Sequence, residues 1–215
     1  MPPSLTLVVA ATSRDLGIGA AHGLPWRLPP DMAFFKAVTL GAGTATGGRR
    51  NAVLMGRTTY ASIPPRFRPL ADRINVVLSR SADADASLSS APDTHVFSSF
   101  PSALEYLDSR SDAGDVFVVG GGQIYDQALR LDCTKRVLLT YVSEASPSTP
   151  PIVCDTFLPD FRVGNLGAWV RRDAASLHAY LASIGAEAAQ ALVPADASPR
   201  EHNGLQYEFT LWERE

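Results

Sequence analysis

An aspartate in the stretch GLPWRLPPDMAFFK (residues 23–36) occupies a position where a helical pattern calls for an apolar side chain. If a helix follows the two prolines, Asp31, Phe35 and Val38 fall on one core-facing stripe at spacings i, i+4 and i+7. An acid in a first helical turn complements the helix dipole, which is the simpler explanation. A carboxylate beside an aromatic wall still needs a hydrogen-bonding or cationic partner, because burial otherwise neutralises it. Where no protein cation is near, a ligand can be that partner.

A run of glycines in VFVVGGGQIYDQAL (116–129) ends an apolar strand and begins a helix. This geometry aims free backbone amides at an anion, and Gly120, Gly121 and Gly122 allow close approach. A tight strand-to-helix turn explains the glycines as well. The pattern is not the dinucleotide-binding G-x-G-x-x-G, since Tyr125 takes its last position.

Two arginines each follow an apolar strand: Arg57 after Gly56, and Arg80 after Ser79. Ligands of open α/β sheets bind near the carboxyl ends of strands. Each arginine alone is explained as a solvated loop residue, but their joint placement favours a phosphate monoester. The segment GAGTATGGRR (41–50) is not a P-loop, because no Lys-Ser/Thr follows Gly48. Neither G-x-S-x-G nor H-E-x-x-H occurs, so hydrolase chemistry lacks a nucleophile or a metal centre.

The composition fits one large α/β domain, with 215 residues of which 46% are hydrophobic. A net charge of −3 and the lack of a basic run make nucleic acid an unlikely partner. Cys133 and Cys154 form no C-x-x-C pair and no metal-ligand spacing with the histidines, so we predict no metal site. The apolar start MPPSLTLVVAATS lacks a basic region and is too short to span a bilayer, so we expect a first strand and a cytoplasmic protein.

Alternating strands and helices must position these residues. The strand candidates are residues 4–11, 51–56, 73–79, 94–97, 115–120 and 135–142, and the helix candidates between them are 31–40, 101–110 and 122–131. This alternation predicts a largely parallel sheet. The last stretch, LQYEFTLWERE (205–215), alternates apolar and polar residues and predicts an antiparallel strand, so the sheet is mixed. A late helical stretch (173–193) is interrupted near Gly185 and has no predicted function beyond packing by Leu177, Leu181 and Ile184.

Together these segments resemble dihydrofolate reductase. The blocks follow one another in that family's order: VVAATSRDLGIGAAHGLPWRLPPDMAFFK (8–36), VLMGRTTYASIP (53–64), RPLADRINVVLSR (68–80), VFVVGGGQIYDQAL (116–129), LLTYV (138–142) and DTFLP (155–159). Several blocks in one order are far more specific than any one of them. The resemblance implies one domain (1–215) around a mainly parallel, mixed eight-stranded sheet flanked by helices. It also makes 163–201 a family-variable insertion and suggests a fungal-like member.

The resemblance implies the following roles on the substrate side. Asp31 would bind the ring nitrogen and amino group of the pterin, with the Thr140 hydroxyl behind it and the Trp26 indole N–H on an ordered water. These three form the expected catalytic group. Arg73 would pair with the glutamate α-carboxylate, and Val118 would offer a carbonyl near the pterin. The other residues expected around the substrate are Val9, Ala10, Ala11, Leu24, Met32, Phe35, Ile63, Leu70 and Tyr125.

An NADPH site is implied by the same resemblance. Ser79 and Arg80 would bind the 2′-phosphate, which favours NADPH over NADH. Residues 19–24 would belong to a mobile lid loop, and the bond between Gly120 and Gly121 would be cis. The full set expected at the cofactor is Ala11, Ile18, Gly19, Gly56, Arg57, Thr58, Thr59, Leu78, Ser79, Arg80, Gly120, Gly121, Gly122, Gln123, Ile124 and Tyr125.

The implied reaction is reduction of 7,8-dihydrofolate to tetrahydrofolate, which supplies one-carbon metabolism. The cofactor provides the hydride and the protein provides orientation. A water gated by the lid would carry the proton, while Asp31 anchors and polarises the ring. The expected partners are dihydrofolate and antifolate inhibitors, with neither membrane nor nucleic acid, and the expected state is a monomer.

Two alternatives stay open. A riboflavin-pathway pyrimidine reductase shares the fold and cofactor but is not expected to have the pair LPWRLPPD and RPLADR. A non-catalytic folate or dinucleotide sensor would use the same cleft, although the intact acid and cofactor-side arginines argue against it.

Overall fold

Eleven strands are present in the computed structural model, which describes residues 2–42, 48–80, 88, 91–164 and 166–215. The predicted connectors 41–50 and 81–92 lie partly outside these residues. In chain order the strands are β1 (Leu5–Thr12), β2 (Gly17–Gly19), β3 (Arg50–Gly56), β4 (Ile74–Leu78), β5 (Thr94–Phe97), β6 (Ala113–Val118), β7 (Thr134–Glu144), β8 (Thr156–Phe157), β9 (Trp169–Arg171), β10 (Arg200–His202) and β11 (Leu205–Arg214).

Eight of these strands lie side by side in the order β10, β11, β7, β1, β6, β3, β4, β5. All pairings from β7 through β5 are parallel, whereas β11 runs antiparallel to β7. The short β9 and β10 both pair with β11, near its end and its start respectively. The predicted single α/β domain with a mixed, mainly parallel eight-stranded sheet is thus confirmed, with β9 as a short addition at one edge.

Helices cover both faces of this sheet. They are α1 (Pro29–Leu40), α2 (Arg57–Ser62), α3 (Phe100–Asp108), α4 (Gly122–Leu129), α5 (Ala174–Ser183) and α6 (Glu187–Gln190), with a 3-10 turn at Pro65–Phe67. Helix α1 begins two residues before the predicted start, because prolines are compatible with the first helical positions. Helix α2 was not predicted, since the threonines in its RTTYAS sequence favour a helix only weakly.

Hydrophobic clusters pack on both faces of the sheet, and β1 contributes to two of them by alternation. Leu5, Leu7 and Val9 belong to the cluster shared with α3 and α4, while Val8 belongs to the cluster shared with α1, α5 and α6. Burial on both faces explains why β1, β3 and β4 are nearly continuous apolar runs.

Helix α1 presents two different faces, which corrects the predicted single stripe. Phe34 and Val38 are buried in the core, and the Phe34 ring stacks on Phe209 with centroids 4.1 Å apart. Phe35, in contrast, is half-buried and lines a cleft. Successive helical residues are rotated by about 100°. Asp31 therefore lies at the boundary between the core face and the cleft face.

The predicted insertion, 163–201, adds β9, α5 and α6 to this framework and leads into β10. Leu177 and Leu181 are buried in the same cluster as Phe34, and Ile184 packs against it. The helical stretch breaks at Gly185, whose φ is +66°, as the sequence predicted.

A separate two-stranded sheet joins β2 to β8, which sequence reasoning did not predict. It holds the base of the segment expected to form the lid. The Asp155 N–H donates to the Gly19 carbonyl at 2.9 Å, and its carboxylate accepts from the Ala21 N–H at 2.8 Å.

Candidate active site

A cleft of about 1470 Å³ opens where the parallel strands end. The segments that follow β3, β4, β5 and β6 contribute one wall, and α1 contributes another. Parallel strands direct their carboxyl ends to the same edge, which is the usual ligand site of such sheets. The residues predicted to bind the phosphates and the pterin are therefore brought to one place, whereas Arg73 lines the cleft from the start of β4.

Most residues that the sequence singled out line this cleft. On the predicted substrate side they are Val9, Ala10, Leu24, Asp31, Met32, Phe35, Ile63, Leu70, Arg73 and Tyr125. On the predicted cofactor side they are Ile18, Gly19, Gly56, Arg57, Thr58, Thr59, Leu78, Ser79, Arg80, Gly120, Gly121, Gly122, Gln123, Ile124 and Tyr125. Ala11, Trp26, Val118 and Thr140 lie behind the lining and are buried.

Asp31 is a buried carboxylate without a protein cation. It lies in the first turn of α1 with 8% of its surface exposed. Burial raises its pKa to about 6, and a hydrogen bond from the Thr140 hydroxyl opposes that rise. No ion pair with a described residue compensates its charge. A hydrogen-bond donor that enters the cleft would therefore stabilise the ionised carboxylate.

Trp26 and Tyr125 are two further buried side chains with polar atoms, and Tyr125 interacts with this acid. The Trp26 Nε1 is buried and has no hydrogen-bond partner among the described residues. A buried N–H of this kind calls for a partner such as an ordered water. The Tyr125 hydroxyl donates to the Val8 carbonyl at 2.8 Å. Burial, and secondly the charge of Asp31, raise the pKa of Tyr125, so the phenol stays protonated.

Arg73 is the cationic counterpart at another part of the same wall. It is 5% exposed, and burial lowers its pKa. Its guanidinium donates to the Thr39 hydroxyl at 2.7 Å and to the Ala71 carbonyl at 3.0 Å, and it forms no ion pair with a described residue. Thr39 belongs to α1, so one helix carries Asp31 near its start and supports Arg73 near its end.

The glycine-rich turn after β6 forms a close backbone wall. The peptide bond between Gly120 and Gly121 is cis, as the resemblance implied. A Cβ on Gly121 would lie 3.1 Å from the Thr59 Oγ1, and one on Gly122 would lie 3.2 Å from the Thr156 Cγ2. Larger residues would therefore crowd α2 and β8. Helix α4 begins here without a side-chain cap, which leaves backbone N–H groups facing the cleft.

Val118 and its neighbour Val119 differ in their access to the cleft. Val118 is fully buried in β6, where it pairs with Leu7 on one side and Leu54 on the other. Val119 follows the strand and lines the cleft. Apolar residues occupy both positions, so the sequence alone did not distinguish the last strand residue from the first one outside it.

Sequence reasoning also missed several lining residues. Lys36 falls on the cleft face of α1, and the helical period from Met32 could have identified it. Thr156 reaches the cleft only through the pairing of β8 with β2, for which the sequence contains no local signal. Other lining residues that the sequence did not single out are Arg66, Phe67 and Gln127.

A family model described as dihydrofolate reductase matches residues 4–177. The chain belongs to the dihydrofolate reductase family. Dihydrofolate reductase of Candida albicans is 33% identical over 214 residues, which covers 99% of this chain and 98% of that protein. The corresponding protein of Cryptococcus neoformans is 32% identical over 231 residues, covering 98% of this chain and 94% of its own length. These fungal matches confirm the predicted kind of family member.

Longer proteins and a solved structure match as well. The bifunctional dihydrofolate reductase-thymidylate synthase of Glycine max is 42% identical over 161 residues, or 73% of this chain. The chain spans only 28% of that relative's length. The solved dihydrofolate reductase of Schistosoma mansoni superposes with a TM-score of 0.72 at 30% identity, covering all of both chains. Sequence and fold therefore assign the same family.

Neither a metal-binding cluster nor a membrane-spanning helix is present in the described part of the chain. No group of His, Cys, Asp and Glu there could hold a metal ion. No helix there is long and apolar enough to cross a membrane.

Proposed function

We propose that the protein reduces 7,8-dihydrofolate to tetrahydrofolate with NADPH and so supplies one-carbon metabolism. The observation that carries this proposal is Asp31, a buried carboxylate in the cleft whose charge no protein cation compensates. A pterin ring offers a ring N–H and an amino group side by side, which together satisfy both carboxylate oxygens. The cost of burying the acid is thus offset when the substrate binds.

The dimensions of α1 suit a substrate with donors at one end and a carboxylate at the other. Asp31 and Thr39 are eight residues apart, or about 12 Å along a helix axis. Thr39 supports Arg73, whose guanidinium would bind the glutamate α-carboxylate in the bidentate manner typical of arginine. Apolar side chains between these ends would enclose the rings, namely Val9, Ala10, Leu24, Met32, Phe35, Ile63 and Leu70.

The residues around Asp31 have defined tasks in this reaction. Asp31 anchors the pterin and polarises its ring, and Thr140 fixes the carboxylate by donating to it. Trp26 would orient a water near the acid with its unpartnered Nε1. We assign the carbonyl contact with the pterin to Val119 in place of Val118, because Val119 lines the cleft. Proton delivery by water, with Asp31 as polarising group, remains the proposed route.

NADPH fits the opposite wall, and when bound it supplies the hydride. The backbone N–H groups at the start of α4 suit a pyrophosphate, as do the hydroxyls of Thr58 and Thr59. Ser79 and Arg80 follow β4 and would bind the 2′-phosphate, while Arg57 follows β3 and would bind the pyrophosphate. The glycine wall at Gly121 and Gly122 allows the flat nicotinamide to approach the backbone closely.

The segment 19–24 is the proposed lid. Ala20 and Gly23 bridge each other, and Ala21 and His22 between them have positive φ. The loop is held at its base by β8, so closure would exclude water from the cleft while its ends stay in place. Location in the cytoplasm and a monomeric state stay predictions.

The test is an assay of NADPH oxidation on addition of dihydrofolate, measured as the loss of NADPH absorbance. The assay is then repeated with NADH. We expect turnover with NADPH, a much higher KM for NADH, and a large fall in Asp31→Asn. Unchanged turnover in Asp31→Asn would contradict the assignment of the site.

Two rival functions give different outcomes in the same experiment. Reduction of a ribosylamino-pyrimidine with no activity on dihydrofolate would indicate the pyrimidine reductase. Tight binding of NADPH and folate without turnover would indicate a ligand sensor.

A further inference from the structure

The 163–201 segment, which the proposed reaction does not use, meets the end of helix α1. Gly41 ends α1, and the next residue, Ala42, donates its N–H to the Ile184 carbonyl at 3.2 Å. A Cβ on Gly185 would overlap the Ala42 Cβ and would lie 2.9 Å from the Ala42 N and Cα. The two chain segments are therefore in backbone contact with no space between them.

The same segment also covers the core face of α1. Phe34 and Val38 share a buried cluster with Leu181 of α5 and with Ala189 of α6. Helix α6 packs directly against α1, and Leu181 of α5 is fully buried in the cluster that the three helices share.

Helix α5, which leads into α6, is itself fixed to the sheet. The Tyr180 hydroxyl lies 3.0 Å from the Thr6 Oγ1, and the Arg136 guanidinium lies over the Tyr180 ring at 4.8 Å. The preceding strand β9 pairs with β11. Because the 163–201 segment is anchored to the sheet and packs on α1, it fixes the position of α1 relative to the sheet.

Asp31, at the boundary between the core face and the cleft face of α1, lines the cleft, and Thr39 of the same helix holds Arg73. We propose that the 163–201 segment is a buttress that sets the position of α1 and thereby the affinity for dihydrofolate. Leu181 and Gly185 are then positioning residues, since neither lines the cleft. This inference rests on the proposed function. We expect this segment to affect the affinity for dihydrofolate and not the affinity for NADPH.

A pair of glycine variants tests the junction. Gly185→Ala forces a methyl group against Ala42, whereas Gly204→Ala is the matched control. Gly204 has a similar positive φ of +77°, but an added Cβ would lie no closer than 3.5 Å to its nearest neighbour, Thr149. Both variants therefore share the backbone strain of alanine at positive φ, and only the first displaces α1.

We expect Gly185→Ala to raise the KM for dihydrofolate about tenfold, because a small misplacement of binding groups is costly. The KM for NADPH should stay within about twofold, as expected for a site that is not coupled to the change. Folate binding, followed by tryptophan fluorescence without NADPH, should weaken in parallel. Gly204→Ala should leave both KM values and folate binding unchanged.

A second pair keeps the test decisive if Gly185→Ala fails to fold. Leu181→Ala leaves a cavity in the cluster that covers the core face of α1, and Leu107→Ala removes a similarly buried leucine from α3 on the other face of the sheet. At a similar loss of Tm, only Leu181→Ala should weaken folate. Equal effects within both pairs on the KM for dihydrofolate would overturn the buttress, because a merely structural role predicts that result.

The wild-type protein separates this inference from the proposed function. No dihydrofolate-dependent oxidation of NADPH in the wild type would refute the function. Normal wild-type turnover with no difference between the members of each pair would refute the buttress alone.

Discussion

The cleft and the opposite edge of the sheet hold the same kinds of charged side chain in different ways. In the cleft, Asp31 and Arg73 are buried and neither forms an ion pair with a described residue. At the amino ends of β3, β5 and β6, Arg50 pairs with Asp93 at 2.6 Å, and Arg110 pairs with Asp112 at 2.6 Å. Asp31 begins α1 and Arg73 directly precedes β4, whereas the ion-paired residues lie at the starts of the neighbouring strands β3, β5 and β6.

This difference shifts the pKa values of the two acids in opposite directions. Burial raises the pKa of Asp31 to about 6, whereas hydrogen bonding to Arg110 lowers the pKa of Asp112 to about 2. A compensated charge stabilises the fold, and an uncompensated one is kept at the expense of stability. The comparison separates residues retained for binding from residues retained for folding.

The largest expected effect is on catalysis by Asp31→Asn. The amide keeps the shape but loses the charge that polarises the pterin, so kcat/KM should fall by about a hundredfold or more. Steady-state kinetics with NADPH and dihydrofolate measure this fall. The control is Asp112→Asn, at the other end of the strands, which should retain wild-type kinetics. A comparable loss of activity in both variants would remove the distinction between the two regions.

Arg73→Leu should have the next largest effect, mainly on substrate affinity. A lost charge-assisted hydrogen-bonded pair weakens binding by about tenfold to a hundredfold, so the KM for dihydrofolate should rise by that factor. Thr39→Val keeps the Arg73 charge but removes the hydroxyl that orients it, and its effect should be smaller. If Thr39→Val were as damaging as Arg73→Leu, orientation would matter more than charge.

On the cofactor wall, Arg80→Ala should raise the KM for NADPH by about tenfold and should change the KM for NADH little. The ratio of the two KM values is the measurement. An equal rise for both cofactors would place Arg80 away from the 2′-phosphate.

Asp31→Asn should also make the ligand-free protein more stable at neutral pH. Folding raises the pKa of Asp31 from 3.8 to about 6. Protonated Asp31 therefore contributes stability at low pH, and this contribution is lost as the pH rises through about 6. That rise corresponds to roughly 3 kcal/mol, an upper bound for the gain in Asp31→Asn at pH 7. Urea unfolding of both proteins at pH 4 and pH 7 tests it. A gain that is the same at both pH values would mean that ionisation is not its cause.

The smallest effect is expected for the stability of Asp112→Asn. Its folded pKa is lowered, so its contribution is present above its ordinary value and is lost as the pH falls toward 2. Its side chain is 38% exposed, and solvent screening limits the loss to about 1 kcal/mol or less. Urea unfolding at pH 7 should show this loss, and added salt should reduce it.

The sequence predicted the strands that bury both faces much better than the short elements. The apolar runs of β1, β3 and β4 carry their own signal, and β5 was placed without error. Strands β2, β8 and β9 have two or three residues each and exist only through pairing with distant segments. No local pattern can show such pairing.

The candidate site was predicted largely through the order of its blocks. Asp31 attracted attention because it broke a helical pattern, and its neighbours in the cleft come from segments scattered between residues 8 and 156. Whether Val118 or Val119 borders the cleft depends on where β6 ends, and the pairing partners of β6 decide that end. The contact between Arg73 and Thr39 on α1 depends on three-dimensional packing, and no local pattern indicates it.

The stacking of Phe34 on Phe209 also affects when the binding helix matures during synthesis. The two rings are separated by most of the chain, and β11 joins the sheet beside β7 only after every other strand has been made. Such distant contacts form slowly, because the intervening chain must be ordered first. A nascent chain that lacks β11 leaves the core face of α1 incompletely covered. Ribosome-bound chains arrested before residue 205 should therefore bind folate weakly, however complete their cleft residues are.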